Sequence, residues 1–481
     1  MTTLHYLKYV HTDSQYQLII NSVEKNIMKK NLLKQLSRVL MIIAVMLVGP
    51  LAFTGCDIDD NINNSPNAIN ESNVKSAVGV NGLMISLQVA TADFYSGDRS
   101  RIAAMWTRQM CAPEGLGRPQ PVSWNSYGMQ TDGFVDDMWK IGYRGVRIAN
   151  DIINFAPEVE FGAENDKLQN SYLGIAKTYK ALLLGELAAF YGSIPTTIVG
   201  LEPPQFVSQA DAYAEVQRLL ESAATHFANS AAINSDLNFK GDGVVWTKVV
   251  HSLRARYYLH VKNYAEALNH ARLGIDAASG TLLGIYNDAA GEYSPWGHWA
   301  LTEVGEPIRV ERTFMDLLHA EENDGRIAMY FQPNSEGNFV GFAFFNTEGA
   351  SDEELDPTMS SRRLKYAAYA DDFPLISFEE NILIRAEAAA RSGAPGEATN
   401  DLNAIRNAAG LGNYSGTDLV GEILLQKHLQ LFLEGQNYTD MRRTGSLPSA
   451  QIPVRFIYPI TEKNANPNVP PDNDNLMNAI L

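Results

Sequence analysis

One segment constrains this chain more than any other: residues 376–411, ISFEENILIRAEAAARSGAPGEATNDLNAIRNAAGL. Leu383, Ala386 and Ala390 share one face at helical spacing, and Ala398, Leu402 and Ile405 share another. Between the two runs stands Gly393-Ala394-Pro395-Gly396, a pair of breakers that ends one helix and opens the next. The segment therefore predicts two helices packed side by side. Alanine at the facing positions lets them approach closely and leaves no room for a larger side chain.

The spacing recurs upstream. In residues 246–275, WTKVVHSLRARYYLHVKNYAEALNHARLGI, Ala255 and Tyr258 precede Ala267, Ala271 and Gly274, and Ala255 to Ala267 is the same 12-residue step as Ala386 to Ala398. These small-residue positions resemble those of tetratricopeptide repeats. A less regular helical pair runs from about 173 to 227. The expected fold is all-α, built of tetratricopeptide-like helical repeats, with long irregular loops at 111–134, 281–310 and 331–372. Loops carried on a rigid helical base are where recognition sits.

The N-terminus reads as an address. From Met28, Lys29, Lys30, Lys34 and Arg38 precede an apolar run from Val39 to Phe53, the charge and hydropathy order of a secretory signal. The run is short for a membrane span and holds Gly49 and Pro50. It ends Phe53-Thr54-Gly55-Cys56, which resembles a bacterial lipobox, so Cys56 is the expected lipidation site. Residues 1–27 read as an upstream extension, with the true start at Met28. Residues 28–55 read as the lipoprotein signal, 56–74 as a flexible tether and 75–481 as the folded body.

The formal net charge is -17. Residues 1–55 hold six basic and two acidic residues, so their removal leaves 38 − 6 = 32 basic against 55 − 2 = 53 acidic, or -21. An acidic surface repels phosphate backbones, which excludes nucleic acid as a partner. Once Cys56 is acylated, the second cysteine, Cys111, has no partner and is expected as a buried or half-buried free thiol. Its neighbours offer no metal set, and the chain contains no Gly-x-Ser-x-Gly, His-Glu-x-x-His or paired Cys-x-x-Cys. No cofactor and no catalytic residues are expected.

Several motifs, in order along the chain, carry a family resemblance. Asp137-Met138-Trp139-Lys140 leads a helix ending Ile148-Ala149-Asn150-Asp151, and Phe190-Tyr191-Gly192-Ser193-Ile194-Pro195 follows. Then come Ile382-Leu383-Ile384-Arg385-Ala386-Glu387-Ala388, Leu402-Asn403-Ala404-Ile405-Arg406, and Phe432-Leu433-Glu434-Gly435-Gln436-Asn437-Tyr438-Thr439-Asp440-Met441-Arg442-Arg443-Thr444-Gly445. Arg455, Tyr458-Pro459-Ile460 and Asn466-Pro467-Asn468 close the series. Together they resemble the SusD/RagB family of nutrient-binding outer-membrane lipoproteins, over about residues 75–470.

The resemblance implies a surface-exposed, lipid-anchored protein of the outer membrane. Such a protein captures a nutrient, an oligosaccharide or for some relatives a peptide, and passes it to a SusC-like TonB-dependent transporter. Glu387, Glu434, Asp440, Arg442 and Arg443 are expected as one charge network tying the last helices together. Sugar capture needs flat aromatic faces with polar groups at the rim. The loops offer Trp124, Asn125 and Tyr127 in one place and Tyr293, Trp296, His298 and Trp299 in another, where Pro295 and Gly297 fix the backbone. On this reading, truncating Trp296 or Trp299 weakens ligand binding without unfolding the chain. The sequence leaves equally open that these aromatics cover the helical base as satellite cores, in which case truncation lowers the melting temperature and leaves affinity unchanged. Two alternatives share the scaffold: a surface-anchored glycoside hydrolase, which needs only two carboxylates distant in sequence, and a helical-repeat adaptor that binds protein alone.

Overall fold

Capping side chains mark where half of the helices named below begin. The computed structural model describes Lys29 and residues 71–114, 119–127, 136–198, 202–301 and 306–472. Cys56, the upstream extension and the signal segment other than Lys29 lie outside the described residues, as does the tether up to residue 70. From Ser72 onward the chain forms one compact unit, which holds every element named below.

Helix α1 spans Ala77–Ser96, and the Ser76 side chain accepts from the Gly79 amide at 3.1 Å. After α2 (Asp98–Trp106) and the short α3 (Pro119–Asn125) come α4 (Asp136–Phe155) and α5 (Asn165–Tyr191). Ser208 caps α6 (Gln209–Phe227), Asp242 caps α7 (Gly243–His260) and Asn263 caps α8 (Tyr264–Ala271). Each cap satisfies amides that a helix start leaves without a partner. A short α9 (Pro295–Leu301) and α10 (Arg312–His319) follow.

The alanine-rich segment 376–411 folds as its spacing predicts. Ser377 caps α11 (Phe378–Arg391), Gly393 turns the chain at φ +81°, and Pro395 occupies the first turn of α12 (Pro395–Ala408). Helices α13 (Leu419–Gln430) and α14 (Gln436–Thr444) lie beyond it.

The scaffold is all-α and serial. Helix α1 packs on α4, α4 on α5, α5 on α6, α6 on α7, α7 on α8, α8 on α11 and α11 on α12. This neighbour-to-neighbour order is that of a solenoid. Ala255, Ala267 and Ala271 of one helical pair and Ala386, Ala398 and Leu402 of the other are all buried in a single cluster, with Leu259, Ile384 and Ile423. Ile405 belongs instead to a small cluster with Ile382 and Leu383.

Among the described residues, three short antiparallel ladders stitch the irregular stretches together. Strand β1 (Met110–Cys111) pairs with β3 (Arg309–Val310), with Met110 opposite Val310. Strand β2 (Leu282–Gly284) pairs with β6 (Phe373–Ile376), and β4 (Phe331–Gln332) with β5 (Arg362–Arg363). Cys111 is free and buried at the first ladder, and burial pushes its thiol pKa up, which leaves it unreactive.

Candidate ligand-binding site

The described parts of the three irregular stretches converge into one layer. Trp124 meets Trp299 at 5.9 Å between ring centroids, Tyr127 lies parallel to Phe345 at 6.3 Å, and Tyr293 stacks on Tyr369 at 4.1 Å. The Ser294 amide donates to the Tyr369 carbonyl at 2.8 Å, tying residues 293–299 to the strap at 366–372. A Cβ at Gly297 would fall 1.9 Å from the Ala368 carbonyl oxygen, so only glycine allows this approach.

That approach overturns half of the expected aromatic platform. Trp124 and Trp296 are 0% exposed, Asn125 4% and Trp299 6%. Pro295 and Gly297 do not display the indoles but press them inward. The Trp296 Nε1 donates to Ser100 Oγ at 2.9 Å, and the Arg363 guanidinium lies 4.9 Å from its ring. Arg101 lies 4.2 Å from the Trp299 ring. Asn125 clamps the residue that follows β1: its Oδ1 accepts from the Ala112 amide at 3.2 Å and its Nδ2 donates to the Ala112 carbonyl at 2.7 Å. These four residues hold the layer together and present no face to a ligand.

Tyr127, Tyr293 and His298 keep contact with solvent, and so does Tyr369, which the sequence did not single out. His298 lies nearly parallel to Tyr293 at 6.1 Å and tilted to Tyr369 at 6.4 Å. The flanking turns carry Asn287 and Glu292, which bond each other, Asp371, which accepts from the Ala368 amide, and Asp372, which accepts from the Tyr286 amide. Tyr369 escaped notice because AAYADD carries no cue of its own; only the strap's fold brings it to Tyr293.

The expected C-terminal charge network divides into separate groups. The Arg443 guanidinium donates to both oxygens of Glu387 and to Asp440 Oδ1, while Lys427 lies 2.8 Å from Asp440 Oδ2 and Arg391 2.9 Å from Glu387 Oε1. Glu434 stands apart, accepting from Lys365 Nζ and Tyr366 OH at 3.0 Å each, and burial pushes its pKa up. Among the described residues Arg442 binds no acid: it donates to the carbonyls of Val454 and Ala189. Glu387, Glu434 and Asp440 are all engaged by cations, an arrangement that fixes helices rather than moves protons.

A further buried group was invisible in the sequence. Arg99 Nε donates to Glu186 at 2.9 Å, and Arg256 reaches Glu186 at 3.5 Å while gripping Glu380 at 2.7 and 2.6 Å. Desolvation opposes the charge on Glu186, yet the two guanidiniums hold its pKa down at about 2. The members come from α2, α5, α7 and α11, so no local spacing announces them.

A serial helical scaffold carrying a knitted loop layer defines a binding protein of the SusD-like class. The family model described as "Starch-binding associating with outer membrane" matches residues 83–459, more than half of the chain. The chain belongs to this SusD/RagB family. Similar solved structures include a SusD/RagB family protein from Bacteroides thetaiotaomicron, with TM-score 0.65 and 17% identity over 83% of this chain and 97% of that one. A SusD homolog from Parabacteroides distasonis has TM-score 0.66 and 18% identity over 83% and 96%. A chitin-binding protein has TM-score 0.64 and 17% identity over 80% and 94%. No curated protein sequence matches this chain. At these identities the structures speak to fold, while family membership carries nutrient binding and outer-membrane association.

Proposed function

We propose that the chain is a lipid-anchored cell-surface protein that captures an oligosaccharide on its loop layer and delivers it to a SusC-like TonB-dependent transporter. The observation that best supports capture on this layer is the accessible stack of Tyr293 and Tyr369 at 4.1 Å, with His298 beside it. Flat aromatic faces pack against the C–H faces of sugar rings, and rim carboxylates and amides accept from or donate to hydroxyls. The buried Trp124, Trp296 and Trp299 stiffen the layer, so little order has to be gained on binding. Membrane attachment is assigned to acylated Cys56, because several acyl chains hold a protein at a bilayer that its acidic surface would not approach.

Binding without turnover is the chemistry proposed. Calorimetric titration of the unlipidated chain against a panel of oligosaccharides and peptides tests it, with product analysis of each mixture. Saturable binding of a glycan that is recovered intact supports the reading. Release of shorter sugars would replace it with a hydrolase, and tight binding to a transporter barrel with no small ligand would replace it with an adaptor.

A further inference from the structure

A cavity of about 290 Å³ opens between the β2–β6 ladder, the start of α11, the end of α13 and the Lys365–Tyr366 turn. Leu283, Tyr330, Pro374 and Leu431 give it apolar walls, to which the exposed Met329 adds. Three carboxylates also line it, those of Asp372, Glu379 and Glu434, against one cation, Lys365.

Glu434 is 8% exposed, and its two oxygens are served unequally. Oε1 accepts from both Lys365 Nζ and Tyr366 OH, while Oε2 takes no hydrogen bond among the described residues. Unlike the sealed side-chain atoms that lack a partner, Oε2 keeps accessible surface, and the open space that Glu434 lines is this cavity. Lys365 has nothing left to offer a ligand: its three ammonium hydrogens meet Glu434 Oε1 at 3.0 Å and the carbonyls of Gln430 and Phe432 at 3.3 and 3.0 Å. The Glu379 side chain makes no hydrogen bond or ion pair among the described residues, yet it stands near enough to Lys365 to raise its pKa. The lining thus presents unmatched carboxylate charge and no cation with a free hydrogen.

That chemistry selects the ligand. An anion is repelled and a neutral molecule leaves the carboxylates unmatched, whereas an ammonium gives them charge-assisted hydrogen bonds. A metal ion fits poorly, because no three Asp, Glu, His or Cys side chains among the described residues are grouped as a metal site needs. Burial pushes the Glu434 pKa up and the Lys365 ammonium pulls it down, so a second cation at Oε2 acts in the same sense as Lys365. The volume suits one ring or a short chain.

We propose that this cavity binds a small protonated amine with an apolar ring or chain. The ammonium donates to Glu434 Oε2 in the field of Glu379, and the body packs on Leu283, Pro374 and Leu431. The site does not rest on the glycan reading, since none of Tyr293, His298 and Tyr369 lines it.

Ligand-observed NMR at neutral pH with 2-phenylethylamine, 2-phenylethanol and 3-phenylpropionate tests this on the purified chain. The amine is expected to bind at least tenfold more tightly than the alcohol, and the carboxylate not at all. Leu283→Trp, or Met329→Trp should the first fail to fold, is expected to abolish amine binding by occupying the cavity. Glu434→Gln keeps an oxygen for Lys365 but removes the charge, and is expected to erase the preference for the amine. Glu379→Gln, at a half-buried position, is expected to weaken amine binding at least threefold with alcohol binding unchanged. Equal affinity for the amine and the alcohol, or preferential binding of 3-phenylpropionate, would overturn the proposal. So would amine binding untouched by the cavity-filling variant and by Glu379→Gln, which would place the amine elsewhere on the acidic surface.

Discussion

Arg443 reaches from α14 to α11 and binds both carboxylate oxygens of Glu387, with the two side chains 2% and 0% exposed. The pair joins the last helix of the charge block to one of the two helices whose alanine spacing defines the repeat. Removing one partner strands a buried charge. Arg443→Ala is therefore expected to lower stability by about 3–5 kcal/mol, read as a shift in the urea midpoint at unchanged slope. A loss under about 1 kcal/mol, the range of exposed pairs, would show that Glu387 is served well enough by Arg391 alone.

Of the two readings the sequence leaves open for the indoles, burial predicts the one in which truncation costs stability. Trp296→Ala removes a fully buried ring and the Ser100 bond, and is expected to cost about 3–5 kcal/mol. Tyr293→Ala and Tyr369→Ala strip half-exposed rings from the surface stack and should leave the melting temperature within a few degrees. Each is expected to weaken oligosaccharide binding at least tenfold in calorimetric titration. Wild-type affinity in both tyrosine variants would move the ligand off this stack.

Why the helical scaffold was legible and the platform was not comes down to range. Ala386 and Ala398 report on packing between helices adjacent in sequence, so their spacing carries the information. Trp296 reports on nothing local: whether it faces out or in depends on Ser100, Arg363 and the strap at 366–372, all distant in sequence. Proline and glycine beside it signalled a fixed backbone correctly but not its direction. The same holds for Glu186, which looks like one more charge on a helix until Arg99 and Arg256 are folded onto it. The motif blocks 382–388 and 432–445 marked Glu387, Asp440 and Arg443 as structural, but could not separate Glu434, whose partners Lys365 and Tyr366 lie in a loop.

Stability should fall as pH drops from about 6.5 to 4. Burial lowers the pKa of His260 to about 3 and that of His428 to about 4, against an ordinary value of 6.5. In this window the unfolded chain binds protons that the folded chain refuses, so unfolding gains as pH falls. At pH 5 each histidine is worth about 2 kcal/mol. Glu186 loses its contribution as pH falls from its ordinary 4.5 to about 2, so it enters only at the foot of the window and leaves the interval from pH 6.5 to 5 to the histidines. Glu434 and Glu311, whose pKa values burial raises, act with the opposite sign. The difference between wild type and His260→Gln isolates one histidine: it should shrink the loss between pH 6.5 and 5 by about 2 kcal/mol. Parallel pH curves for the two proteins would mean that His260 is not the group refusing the proton.

Gly297 links the buried and exposed halves of the loop layer, and its substitution should separate fold from function by a different route. A methyl group there would meet the Ala368 carbonyl oxygen at 1.9 Å and the Tyr369 amide nitrogen at 2.9 Å, both backbone atoms. Neither can rotate away as a side chain would, so the strap at 366–372 must shift outward. That shift breaks the bond from the Ser294 amide to the Tyr369 carbonyl and opens the 4.1 Å stack of Tyr369 on Tyr293. The helical scaffold is not touched, because the contacts at issue lie between α9 and the strap alone. Gly297→Ala is therefore expected to destabilise by about 1–3 kcal/mol, the range for overpacking, and to reduce oligosaccharide affinity as far as Tyr369→Ala does. Combining the two substitutions should give no further loss of affinity, since residues acting through one contact are not additive. Additive losses would mean that the strap and the tyrosine stack contribute to binding independently.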